Sequence, residues 1–175
     1  MAQIKFDHII KVKLLSRQAI IPKKGTAKSA GFDLYVPRDT IIPFGRTVVH
    51  TDLAIVPDYG FCDVRPRSGF SVTGIEGNAV QLIDSTKKHS IEGYSILSSQ
   101  IHFDADVILG TVDNDYRGNV GIIIKNNDVP FCIKAGTRIA QLVPPNDGKS
   151  WGLQIVSMLD KTEREEGGYG HTGTR

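Results

Sequence analysis

Apolar residues in this chain come in short runs, many of them alternating with polar ones, and nearly every run stops at Gly, Pro or a polar cluster. No segment of helical length repeats its apolar residues with a period near 3.6. Residues 10–14 alternate apolar and basic side chains, as a half-buried strand requires. Residues 30–36 form a strand stopped by Pro37. Residues 40–45 carry Pro43 and read as an edge strand followed by a turn. A long strand is expected over 47–56, ending at Pro57, and an alternating one over 59–65. Further strands are expected at 130–133, 138–143 and 151–156, with a turn at 134–136. Residues 79–83 and 94–97 are apolar islands around a polar centre, compatible with a hairpin or with a short helix and a loop. Their place, at about 74–100, reads as an insertion on a compact fold. About ten short strands separated by turn signals argue for an all-β jelly roll or distorted β-barrel with at most one short helix. The 18 Gly and 8 Pro, spread along 175 residues, suit such turns.

Bulk properties exclude some functions. A net charge of +2 is too small for a general nucleic-acid surface. No stretch approaches the 18 apolar residues of a membrane span, and the first residues lack the apolar core of a signal peptide, so an intracellular protein of cytoplasm or nucleus is expected. Cys62 and Cys132 each sit in an apolar strand-like run, which favours buried free thiols. The five His residues show no paired ligand spacing.

Four stretches carry chemistry. Gly110-Thr-Val-Asp-Asn-Asp-Tyr-Arg-Gly118 lies between two apolar runs and reads as a β-hairpin whose tip holds carboxylates, a phenol and a guanidinium. Asp113 stands where the strand leaves the core, partly desolvated and held, as a general base requires. At Pro66-Arg-Ser-Gly69, Ser68 reads as the N-cap of a short helix, and Arg67 with the free N–H groups of that helix makes a candidate phosphate cradle. Gln141 is a polar residue inside an apolar strand, open either to a core partner or to a ligand. The Gly-rich end, residues 162–175, has Arg164 and Arg175 for charge and Tyr169 as a lone ring fit to lie on a base. Such a segment is expected to be flexible when free and to order on its ligand.

In order along the chain, Ala30-Gly-Phe-Asp-Leu34, Pro66-Arg-Ser-Gly69, the Gly110–Gly118 stretch, Gly136-Thr-Arg-Ile-Ala-Gln-Leu142 and residues 164–173 resemble the five motifs of the trimeric dUTP pyrophosphatase (dUTPase) family. The resemblance implies a jelly-roll domain over 1–161, an arm over 162–175 that closes on the active site, and a homotrimer with its sites at subunit interfaces. It implies hydrolysis of dUTP to dUMP and pyrophosphate with Mg²⁺, which limits uracil in DNA and supplies dUMP for thymidylate synthesis. Asp113 would activate the water that attacks the α-phosphorus. Arg67, Ser68, Gly69 and Gln141 would hold phosphates. Mg²⁺ would rest on phosphate oxygens and waters with no direct protein ligand, Asp33 orienting its water shell.

By the same resemblance, the backbone of Val107, Gly110, Thr111 and Val112 would read uracil, Gly121 would leave room for it, and Tyr116 would pack on the deoxyribose and exclude a 2′-hydroxyl. Tyr169 would stack on the base, Arg164 would reach the γ-phosphate, and Gly170, His171 and Thr172 would wrap the phosphate end, usually at a site formed by other subunits. Neither nucleic acid nor membrane is an expected partner. This chain departs from the family in Tyr169 for a usual Phe, Glu165 and Glu166 for small residues, and His171 for a common Ser. Two other readings stand beside this one: a binding or regulatory protein on the same fold with reduced turnover, and an enzyme like dCTP deaminase.

Overall fold

The computed structural model describes residues 5–170. Strands β1 (His8–Leu14), β6 (Leu53–Pro57) and β15 (Trp151–Ile155) form one sheet, in the order β15-β1-β6, with β1 and β15 parallel. A second holds β10 (Ala105–Ile108), β12 (Gly121–Asn126) and β5 (Gly45–His50), in that order. The largest sheet runs β11 (Gly110–Asp113), β7 (Phe61–Pro66), β14 (Arg138–Val143), β3 (Phe32–Tyr35), β2 (Lys23–Lys24). The last runs β4 (Thr40–Ile42), β13 (Phe131–Ile133), β8 (Ile75–Leu82), β9 (Tyr94–Phe103). One helix, α1 (Ser68–Thr73), follows β7. None of the described helices is long and apolar enough to cross a membrane. This is the jelly-roll class that the rhythm of the sequence implies.

Alternation explains the core. Ile10 and Val12 of β1 are fully buried while Lys11 between them is exposed, and Ile122 and Ile124 of β12 repeat the pattern. Each such Ile contributes roughly 1.5–3 kcal/mol by leaving water. Phe103 and Phe131 stack at 4.3 Å in the same cluster. Cys62 and Cys132 are free and buried, and burial pushes the Cys62 thiol up to about 12.

The structure corrects three expectations. The long strand over 47–56 is two strands, because the chain turns at Asp52, whose φ is 58°. That turn sends β5 to pair with β12 and β6 to pair with β1. The stretch at 74–100 resolves as a hairpin of β8 and β9, extended to 75–103 and docked on β13. Its tip holds two 3₁₀ turns, capped by Asp84 and Ser90 and tied by the Tyr94 hydroxyl to the Lys88 carbonyl at 2.9 Å. Finally, β11 and β12 are not paired with each other. β11 bonds to β7, and β12 to β10 and β5, so the expected β-hairpin at 110–118 is splayed between two sheets.

Candidate active site

The splay opens a gap. Gly110, Thr111 and Val112 line one side, Val120, Gly121 and Ile123 the other, with Tyr116 at the end. β11 is the edge strand of its sheet, so one row of its N–H and C=O groups faces no strand partner. A flat ring with donors and acceptors on its rim can complete that row. At Gly121 an added Cβ would lie 2.4 Å from the Val48 side chain, so only glycine leaves the gap clear. Tyr116 is packed against the core and lies over Gly118, where an added Cβ would come within 2.4 Å of its hydroxyl. Burial pushes the Tyr116 phenol above its ordinary value.

Residues 162–170 fold back over this gap. Arg117, buried, donates to Asp160 and to the Asn114 carbonyl, and the Thr162 hydroxyl donates to the Asp115 carbonyl at 2.6 Å, which staples the segment to the turn. Arg164 pairs with Asp113 and, at 3.2 Å, with Asp115, and its guanidinium lies 5.5 Å from the Tyr116 ring centre. The bond to Asp113 raises the affinity of Arg164 for its proton. Most of Tyr169 is exposed, but its hydroxyl reaches Gly121 inside the gap. With Tyr169 there, the space left is about 180 Å³. That is smaller than a ligand pocket of ~300–1,000 Å³.

A second pocket is lined by Asp33, Arg67, Ser68, Gly69, Arg138 and Gln141, with Gly31 and Ser29 at its side. Arg67 and Arg138 meet the Asp33 carboxylate at 3.5 and 3.2 Å. Arg67 also donates to the Arg138 carbonyl at 3.0 Å. The Gln141 amide donates to the Pro66 carbonyl at 3.0 Å, bracing the turn into α1. At Gly31 an added Cβ would meet the Leu142 carbonyl at 2.9 Å, so glycine permits the close approach of this loop to β14. The two pockets share no lining residue.

The expected residues divide between these pockets. Gly110, Thr111, Val112, Tyr116, Gly121, Arg164 and Tyr169 fall at the first, and Asp113 stands at its mouth through Arg164. Arg67, Ser68, Gly69, Gln141 and Asp33 fall at the second. Val107 reaches neither: its side chain is in the core, and β10 pairs it with Ile124. Helix α1 begins at Ser68, with Arg67 in the capping position and no side-chain cap, so Ser68 is not the N-cap. Arg164 pairs with Asp113 of its own chain. The Asp113 side chain is half exposed, so Arg164 more than burial holds it. Glu165 turns back, its carboxylate accepting from the Thr162 N–H at 2.6 Å, which keeps that charge off the pocket. Gly170 has φ 102°, and His171 and Thr172 lie outside the described residues.

Arg138 was not singled out from sequence. Simple alternation puts it on the opposite face from Gln141, but a bulge between Arg138 and Ala140 shifts the register and brings both into one pocket. Among the described residues, no group of three or more His, Cys, Asp or Glu side chains converges as a metal cage. The second pocket offers one carboxylate and two guanidiniums, a donor set that fits a cation carried in on phosphates better than one held by protein.

Comparison with known proteins agrees over most of the chain. The dUTPase family profile matches residues 17–92 and 85–173. A deoxyuridine 5′-triphosphate nucleotidohydrolase of Oryza sativa is 36% identical over 97% of this chain and 83% of its own length. The enzyme of that name from Mus musculus is 38% identical over 91% of this chain and 82% of its own length. Among solved structures, a mutant dUTPase from phage phi11 of S. aureus superposes with a TM-score of 0.57 at 21% identity, covering 88% of this chain and 96% of its own. A dUTPase of Staphylococcus bacteriophage 80alpha, solved with dUpNHpp, superposes at 0.56 with 22% identity, over 94% of this chain and 98% of its own.

Proposed function

This chain belongs to the dUTPase family, and from that premise we propose that it hydrolyses dUTP to dUMP and pyrophosphate through two half-sites supplied by different copies of the chain. The gap between β11 and β12 is the nucleoside half. Uracil's N3–H and carbonyls pair with the free edge of β11, cytosine offers a donor where an acceptor is needed, and Gly121 leaves room for the ring. Tyr116 covers the sugar face. Refusing a hydroxyl by an apolar wall costs on the order of 1–3 kcal/mol.

Asp113 takes a proton from water, the water oxygen bonds to the α-phosphorus, and the bond to the β-phosphate bridge breaks, releasing pyrophosphate. For this step Arg164 must leave Asp113. Arg67, Arg138, Ser68, Gly69 and Gln141 hold the phosphates, since positioning and charge neutralisation carry phosphoryl chemistry. Mg²⁺ carried in on the phosphates would supply charge neutralisation and shape the triphosphate, with Asp33 the carboxylate that could orient it through water.

The observation that supports this reading is that the residues assigned here to the base and those assigned to the phosphates line pockets with no residue in common. A cyclic homotrimer, in which the nucleoside half of one copy faces the phosphate half of the next, completes three sites. The compartment that fits is intracellular, where the substrate is made. The test is steady-state pyrophosphate release from dUTP, UTP, dTTP and dCTP side by side. Turnover of dUTP alone is expected, and release of ammonia from dCTP would replace this reading with a deaminase.

A further inference from the structure

Asp52 is anomalous in two ways. It is a charged residue only 6% exposed, and its φ of 58° lies in the left-handed region, which residues with a Cβ adopt at a cost that is lower for Asp and Asn. Glycine would fit that backbone better, so the side chain is retained for what it does. Its carboxylate accepts from the Ser16 hydroxyl at 2.6 Å, from Arg38, and from the Asn119 amide at 3.1 Å. Its own N–H donates back to the Asn119 side-chain oxygen at 2.9 Å, so the two residues clasp each other twice. Neighbouring backbone tightens the clasp: the Thr51 hydroxyl and N–H both donate to the Val120 carbonyl, and the Val120 N–H donates to the Leu53 carbonyl. The Tyr116 hydroxyl, in turn, donates to the carbonyl of Asn119 at 3.1 Å.

We infer that Asp52 is a positioning residue for sugar selection: it fixes Asn119, Asn119 tethers the Tyr116 hydroxyl, and the tether sets how close the Tyr116 ring stands to the sugar. The inference rests on the proposed role of Tyr116. Asp113 is untouched by it, so loss of the clasp loosens the wall without removing the base. A 2′-hydroxyl then fits, and UTP gains on dUTP.

The test is the ratio of kcat/KM for dUTP over UTP in Asp52→Gly, Asn119→Ala, Tyr116→Phe and Asp52→Asn. Asp52→Gly suits the φ and removes the carboxylate. Tyr116→Phe keeps the ring and cuts only the tether, so it stands even where the clasp variants fail to fold. The ratio is expected to fall by about tenfold or more in these two and in Asn119→Ala. The fall should come through a higher KM for dUTP at similar kcat, together with rising UTP turnover. Asp52→Asn keeps an acceptor for Asn119 and should restore most of the ratio. An unchanged ratio in Tyr116→Phe, or equal losses on both nucleotides in folded Asp52→Gly, overturns the inference. A wild-type protein that does not turn over dUTP at all would instead strike the reading of function, before any variant is compared.

Discussion

The two pockets are made from opposite materials. The pocket proposed for the nucleoside is mostly backbone edge and apolar side chain: Gly110, Val112, Val120, Gly121, Ile123 and the Tyr116 ring. The pocket proposed for the phosphates is charge: Arg67 and Arg138 around Asp33, with Gln141 bracing the loop. A base is neutral and must be recognised by the spacing of its donors and acceptors, which a rigid strand edge supplies. A triphosphate is recognised by its field, which paired guanidiniums supply. The difference predicts that damage on the first side alters which nucleotide is used, whereas damage on the second alters how well any triphosphate is held.

The largest expected effect tests whether the acid belongs to the chemistry alone. Asp113→Asn should lower turnover by about 10³-fold while dUTP binding, measured by calorimetry, persists. A variant that loses binding in proportion would make Asp113 a holding group. Truncation after Lys161 should cost about 10²-fold in turnover, with the oligomer intact by sedimentation, because the segment, once shifted off Asp113 and out of the gap, is proposed to close over the bound nucleotide. An unchanged rate would remove residues 162–170 from the site. Arg67→Ala should raise KM for every triphosphate alike, the signature of the charged side. Refolding it together with Asp113→Asn should restore about a quarter of wild-type sites, those that draw an intact half from each variant. No restoration would place both halves in one copy. Gly121→Ala should weaken dUTP by about tenfold, since its methyl would press on Val48 and fill the gap.

The smallest effect concerns acid. Burial pushes the Asp52 carboxyl up, but bonds from Ser16, Arg38 and Asn119 outweigh it and hold it below the ordinary carboxylate range. Its contribution to stability is therefore present above about pH 4 and lost as pH falls through the lower, folded value. Asp52→Asn should melt earlier than wild type at neutral pH, and the difference should close below about pH 4.

The same contrast decides what could be read in advance. On the charged side Arg67 stood out beside a helix start and Gln141 as a polar residue in an apolar strand, open to a core partner or a ligand, while Asp33 entered only through the family resemblance. Arg138 escaped because its placement depends on a bulge, and a bulge is a property of pairing. On the other side Tyr116 and Asp113 were legible as types, but the gap was not. Seeing it requires knowing that β11 joins β7 while β12 joins β5, contacts between residues 46 to 81 positions apart in sequence. Val107 continues the apolar run into β11 but belongs to a different sheet, which sequence could not show for the same reason. The single strand expected over 47–56 failed at Asp52, where side-chain bonds to distant residues override local strand preference.

The docking of Arg164 on Asp113 and of Tyr169 beside Gly121 has a consequence for measured affinity. Chains in this closed arrangement present neither an open seat nor a free base, so only the complementary fraction of the population can accept a nucleoside. The observed dissociation constant is then the intrinsic one divided by that fraction. Substitutions in the last residues could therefore tighten or weaken apparent binding without touching the nucleotide.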